Sequence, residues 1–74
     1  MSKIYLVPTD GRKSFYNKCY VIIYGDTATL YSYDTKIMEY NILTGETVKT
    51  SFYNYSMTTK RHQKAFCKLY NING

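Results

Sequence analysis

Cys19-Tyr20-Val21-Ile22-Ile23-Tyr24-Gly25-Asp26-Thr27-Ala28-Thr29-Leu30-Tyr31-Ser32-Tyr33 is the stretch from which the fold can be read. Successive side chains of a strand point to opposite faces, so Cys19, Val21 and Ile23 share one side and Tyr20, Ile22 and Tyr24 the other. The same alternation returns after Gly25-Asp26, with Ala28 and Leu30 opposed by Thr29, Tyr31 and Tyr33. Glycine at the first central position of a two-residue loop suits a type II′ hairpin, because positive φ costs it nothing. Two antiparallel strands therefore sit at the centre of the chain. One face is aliphatic and the other is rich in tyrosine, of which the 74 residues contain ten.

Working outward, Lys3 to Val7 alternates Ile4 and Leu6 against Tyr5 and Val7, and Pro8 ends this first strand by withholding a donor. Thr9 to Ser14 has turn chemistry around Asp10-Gly11, and the run from Phe15 to Tyr24 is the longest β-type segment. Beyond the hairpin, Asp34-Thr35 marks a bend. Lys36 to Asn41 is again extended, with Ile37 opposed by Met38 and Tyr40. Leu43-Thr44-Gly45-Glu46 turns the chain into a last strand, Thr47 to Tyr53, with Val48, Thr50 and Phe52 on one side and Thr47, Lys49, Ser51 and Tyr53 on the other. Short connections make consecutive strands antiparallel neighbours.

From Ser56 the period changes. His62, Ala65, Phe66, Leu69 and Ile72 recur at three- and four-residue spacings, which predicts a helix from about Thr58 to Asn71, with Ser56, Thr58 and Thr59 as competent N-caps. The expected architecture is α+β: a single domain over residues 1–74, an antiparallel meander of about five strands with one C-terminal helix packed on one face. One helix covers one face, so Tyr20, Tyr24, Tyr31, Tyr33 and Tyr53 are expected to gather on the other.

Charge narrows the partners. Ten Lys and Arg against five Asp and Glu give a net charge of +5, which favours anionic surfaces such as phosphates, acidic protein grooves or anionic lipid, and equally serves solubility. Lys60, Lys64 and Lys68 form a stripe at i, i+4 and i+8 with Arg61 beside it. An ordinary solvated helix face explains that stripe, but cations in a first turn oppose the helix dipole at a cost of about 0.3–1 kcal/mol each. Thr58, Thr59, Lys60 and Arg61 combine hydroxyls, N–H groups and cations, a recipe for holding a phosphate or carboxylate, although capping with an internal carboxylate such as Glu39 or Glu46 fills the same role.

No catalytic or metal-binding constellation emerges. His62 is the only histidine and reads as a hydrogen-bonded packing residue. Cys19 and Cys67 lie far apart outside any C-x-x-C pair, which leaves two free thiols in a reducing cytosol as the default reading and a single disulfide as the alternative. The carboxylates Asp10, Asp26, Asp34 and Glu46 fall at turns, and Gly11, Gly25 and Gly45 make no phosphate loop. The residues point to a non-enzyme with no cofactor. Met1 to Pro8 lacks the apolar run of a secretory signal and no stretch approaches a membrane span, so the expected location is the cytosol, with no membrane partner.

Three blocks carry a resemblance: Lys13-Ser14-Phe15-Tyr16-Asn17-Lys18, Leu30-Tyr31-Ser32-Tyr33-Asp34-Thr35, and Tyr55-Ser56-Met57-Thr58-Thr59-Lys60-Arg61-His62 leading to Phe66. In these the chain resembles a group of short, functionally uncharacterised proteins of bacteria and their phages. The resemblance implies a phage or mobile-element origin and action in the host cell cytosol, and it brings no catalytic residues. By analogy with small basic phage proteins, anti-CRISPR proteins among them, the expected function is a binding protein that blocks or modulates a host protein or ribonucleoprotein, such as a defence nuclease. Lys60, Arg61, Lys64 and Lys68 with one or more sheet-face tyrosines then supply the surface. The rival reading is direct nucleic-acid binding, with tyrosines stacking on bases and lysines tracking phosphates. A third is a structural homodimer through the tyrosine face.

Overall fold

The computed structural model describes residues 2–6 and 18–72. In chain order the elements are β1 (Ser2–Tyr5), β2 (Cys19–Tyr24), β3 (Thr27–Ser32), β4 (Thr35–Asn41), β5 (Thr47–Lys49) and α1 (Met57–Tyr70). The strands form one sheet in sequence order, every neighbouring pair antiparallel. The α+β meander with a C-terminal helix is thus the observed architecture. The expected turn at Thr9 to Ser14, the start of the second strand at Phe15, and Val7 and Pro8 lie outside the described residues.

Register divides the side chains into two layers. Ile4, Val21, Leu30, Met38 and Lys49 align across the sheet on the helix side, while Lys3, Ile22, Thr29, Glu39 and Val48 align on the opposite side. Cys19, Val21, Ala28, Leu30 and Phe66 of the helix are completely buried and form the core with Leu6, Ile37, Met38 and Ala65. Gly25 takes φ 59 at the first position of the β2–β3 turn, and Asp26 keeps negative φ, as a type II′ loop demands.

The next connection departs from expectation. Ser32 pairs with Thr35, so Tyr33 and Asp34 are the two central residues of a tight loop, with φ 52 and 64. Tyr33 is therefore a left-handed turn residue and not the last residue of a strand. A slip follows: Leu30 pairs with Met38 but Tyr31 with Lys36, leaving Ile37 as the extra residue of a β-bulge. The bulge explains why Ile37 and Met38, adjacent and expected on opposite faces, are both buried.

The last strand is also shorter than the alternation implied. β5 ends at Lys49, and Thr50 turns its hydroxyl onto the carbonyls of Lys36 and Ile37, both at 2.8 Å. Residues 51–54 then form turns, with Asn54 left-handed at φ 60. Gln63 clamps Asn54 from the helix: its Oε1 accepts from the Asn54 N–H at 2.7 Å, and its Nε2 donates to Asn54 Oδ1 at 2.7 Å.

Ser56 is the N-cap, accepting from the Thr59 N–H at 3.1 Å, and Asn71, left-handed at φ 56, closes the C-terminus by donating to the Cys67 and Lys68 carbonyls. The buried face comprises Thr59, His62, Gln63, Ala65 and Phe66. Leu69, expected there, is 47% exposed. Positions three and four beyond Phe66 compete for the same face, and Tyr70 takes it because its ring packs on both Phe66 (5.2 Å) and Tyr40 (5.3 Å).

Candidate functional site

On the sheet face away from the helix, register aligns Tyr5, Tyr20, Tyr31 and Lys36 in one cross-strand row. The Tyr20 and Tyr31 rings stack at 5.2 Å with an interplanar angle of 12°, and Tyr5 meets Tyr20 edge-on at 6.0 Å. Lys3, two residues before Tyr5 on the same side of β1, holds its Nζ 4.3 Å from the Tyr20 centroid and 5.1 Å from that of Tyr5. The Tyr20 hydroxyl donates to Asp34 Oδ1 at 2.6 Å, which the left-handed Tyr33-Asp34 loop brings back over the sheet. That bond, and then loss of hydration, push the phenol up to about 12. Lys36 pairs with Glu39 at 2.6 Å, and the bond to Glu39 raises its ammonium above the ordinary lysine value. Ile22 is half-buried on this face, and Tyr24, 73% exposed, extends it toward the β2–β3 turn.

Of the five tyrosines expected here, Tyr20, Tyr24 and Tyr31 lie on this face and two do not. Tyr53 packs against the core on the helix side, because β5 ends before it. Tyr33 tilts over His62 at 5.8 Å, because its turn conformation swings the ring off the strand direction. Lys3 and Tyr5 were missed as partners of the cluster. The alternation of Lys3 and Tyr5 against Ile4 and Leu6 was the available signal, but only register puts Tyr5 beside Tyr20.

The basic helix lies on the other side. Lys60, Lys64 and Lys68 are exposed on α1, so the sheet separates them from the Tyr20–Tyr31 stack, and of the expected tyrosines Tyr53 is the one that shares a surface with Lys60 and Lys64. Lys60 and Lys64 instead border a cleft with Lys49; Lys68 lies outside it. Arg61 is half-buried, and its charge acts on the neighbouring His62.

The expected anion site at Thr58, Thr59, Lys60 and Arg61 is also changed. Ser56 already accepts the Thr59 N–H, the Thr59 hydroxyl lies 3.1 Å from Ser56 Oγ, and Thr59 is buried. Thr59 thus belongs to the cap itself. The first turn contains no acidic residue, and Glu39 is engaged with Lys36 on the opposite face.

His62 is 1% exposed, with Nδ1 2.7 Å from Ser32 Oγ. Burial, reinforced by the Arg61 charge, pushes the imidazole down to about 4, so it is neutral at ordinary pH. This hydrogen bond ties the helix to β3. Both cysteines are free thiols: burial pushes Cys19 up to about 12, and Cys67, half-buried, is raised by burial against an opposing pull from Lys49. Among the described residues no three His, Cys, Asp or Glu side chains assemble in a way that holds a metal ion. None of the described helices is long and apolar enough to cross a membrane.

Comparison with known proteins assigns no chemistry to these surfaces. Residues 4–74 match DUF8033, a family of unknown function. No curated protein and no solved structure matches the chain.

Proposed function

We propose that this chain, which belongs to the DUF8033 family, is a non-enzymatic binding protein that docks onto a host protein through its tyrosine-lined sheet face. The observation that carries this reading is the ordered row of Lys3, Tyr5, Tyr20 and Tyr31 on a face that no described element covers. Cross-strand stacking, the lysine contacts and the Tyr20–Asp34 bond hold the rings before any partner arrives. Ordering a mobile side chain on binding costs about 0.5–1.5 kcal/mol, and preorganised aromatic rings avoid most of that.

Ring orientation supports a protein partner over unpaired bases. Base stacking needs an open ring face, whereas Tyr20 meets Tyr31 on its face and has Lys3 over its ring. Ring edges and the hydroxyls of Tyr5, Tyr24 and Tyr31 remain, and these suit the mixed apolar and polar centre of a protein interface. The finer reading is a phage-type inhibitor acting in the host cytosol on a machine such as a defence nuclease. It draws its support from the sequence resemblance and the small basic chain.

The test is capture of a host protein after nuclease digestion of the lysate, comparing wild type with a Tyr5→Ser, Tyr24→Ser variant. Both residues are exposed, so the fold is spared. A retained protein partner that the variant binds at least about tenfold more weakly, a loss of roughly 1.4 kcal/mol, supports the proposal. Equal capture by both proteins refutes the face, and loss of every partner on nuclease treatment moves the assignment to nucleic acid.

A further inference from the structure

A cleft of about 510 Å³ runs between the end of β5 and α1, on the far side of the sheet from the tyrosine row. Its helix wall is the stripe Lys60, Gln63, Lys64 and Cys67, spaced i, i+3, i+4, i+7, and Lys49 faces it from β5. Three lysines therefore line one concavity. Among its described lining residues none is acidic, and among the described residues no carboxylate forms an ion pair with Lys49, Lys60 or Lys64. Like charges gathered in a concave site with low-dielectric walls raise the local positive potential, which an anion relieves. Its size is within the range of about 300–1,000 Å³ typical of ligand clefts.

The remaining groups select among anions. Asn54 and Gln63 also line the cleft; their amide oxygens accept from the Asn54 N–H and from Gln63 Nε2, so what they leave open toward a ligand is N–H donors, Asn54 Nδ2 above all, which suit an anion. Tyr53 already carries the Lys49 ammonium over its ring at 4.6 Å, which removes a stacking platform. No arginine lines the cleft among the described residues, so the planar fork that grips phosphate two-handed is missing. What is presented is the Lys49 ammonium over the Tyr53 ring, the exposed helix lysines Lys60 and Lys64, and an apolar floor of Cys67 and Ile72. We infer that this cleft binds an acidic segment of a partner protein, with carboxylate side chains meeting Lys49, Lys60 and Lys64 and an apolar side chain seated on the floor. The site shares no residue with the tyrosine face and stands independently of it.

The probe is a fluorescein-labelled peptide of repeated Asp-Glu-Leu, titrated by fluorescence anisotropy. Lys60→Gln with Lys64→Gln is compared with Lys18→Gln with Lys68→Gln, which removes the same charge from exposed positions outside the cleft. The expected result is saturable binding weakened roughly three- to tenfold by the cleft pair, at the modest strength of exposed ion pairs, and less than about twofold by the control pair. Replacing Lys60 removes a cation that opposes the helix dipole, so the cleft variant keeps its helix. Location is read independently: Cys19 is buried and Cys67 lines the cleft, so bound peptide slows iodoacetamide alkylation of Cys67. Absence of peptide binding, equal weakening by both pairs, or unchanged Cys67 alkylation at saturation each overturns the inference. So does a single-stranded RNA that outcompetes the peptide and protects Cys67.

Discussion

Acidification from about pH 7 to about pH 5.5 should loosen this fold through one side chain, His62. The imidazole is held at about 4 in the folded chain, against 6.5 when unperturbed, because it is buried against Ser32 with Arg61 nearby. Between these values the unfolded chain binds the proton and the folded chain does not. Stability is therefore fully present above about pH 6.5 and is lost as pH falls toward 4. The complete shift corresponds to about 3 kcal/mol, of which roughly 1 kcal/mol is gone by pH 5.5, before most carboxylates titrate. A chain of this length has a total stability of roughly 4–11 kcal/mol, and each kcal/mol moves the melting temperature by about 4–8 °C. Thermal melts followed by circular dichroism should thus show a drop of about 4–8 °C over that interval. In His62→Gln, whose amide can still bond Ser32 but cannot titrate, the baseline stability falls and the pH slope flattens. A wild-type melting temperature unchanged between the two pH values, or the same slope in the variant, refutes the assignment of the titration to His62.

Phe66→Ala, at a side chain with no exposure, should cost about 3–5 kcal/mol and leave the chain near its unfolding threshold at 25 °C, measured by urea denaturation. Gln63→Ala removes both bonds of the Asn54 clamp; because Asn54 is exposed and water replaces part of the loss, the expected cost is about 1–2 kcal/mol, with faster alkylation of Cys67 as the cleft wall loosens. Under native conditions a thiol reagent should modify Cys67 first and reach Cys19 only on unfolding, and equal rates for the two would contradict the buried position of Cys19. Asn71→Gly preserves the left-handed C-cap and should change stability by only a few tenths of a kcal/mol, whereas Asn71→Val should cost about 1 kcal/mol or more, read from melting curves.

Local rules carried far in this chain. Alternation around Gly25-Asp26 identified β2, β3 and the faces of Cys19, Val21, Ala28 and Leu30, and the change of period after Ser56 located α1 to within a residue or so at each end. Both signals depend only on neighbours in sequence, so no tertiary information was needed. Tyr20, Tyr24 and Tyr31 were legible as a set for the same reason.

Tertiary structure decided everything that depends on pairing between distant residues. The bulge at Ile37 is invisible to a period-two reading because it appears only when β4 is laid against β3, and it turns Ile37 and Met38 to the same core. β5 stops where Thr50 turns onto the Lys36 and Ile37 carbonyls, the Gln63 clamp holds the following turns at Asn54 with Tyr53 on the helix side, and the two-residue loop at Tyr33-Asp34 turns one tyrosine onto His62 and delivers a carboxylate to Tyr20. Register alone brings Lys3 and Tyr5 beside Tyr20, and helix placement alone separates Lys60 and Lys64 from those rings and sets them opposite Lys49. Composition supplies cations and phenols, but a sheet has two sides, and only the packing of the helix onto one of them determines which charges and which rings share a surface.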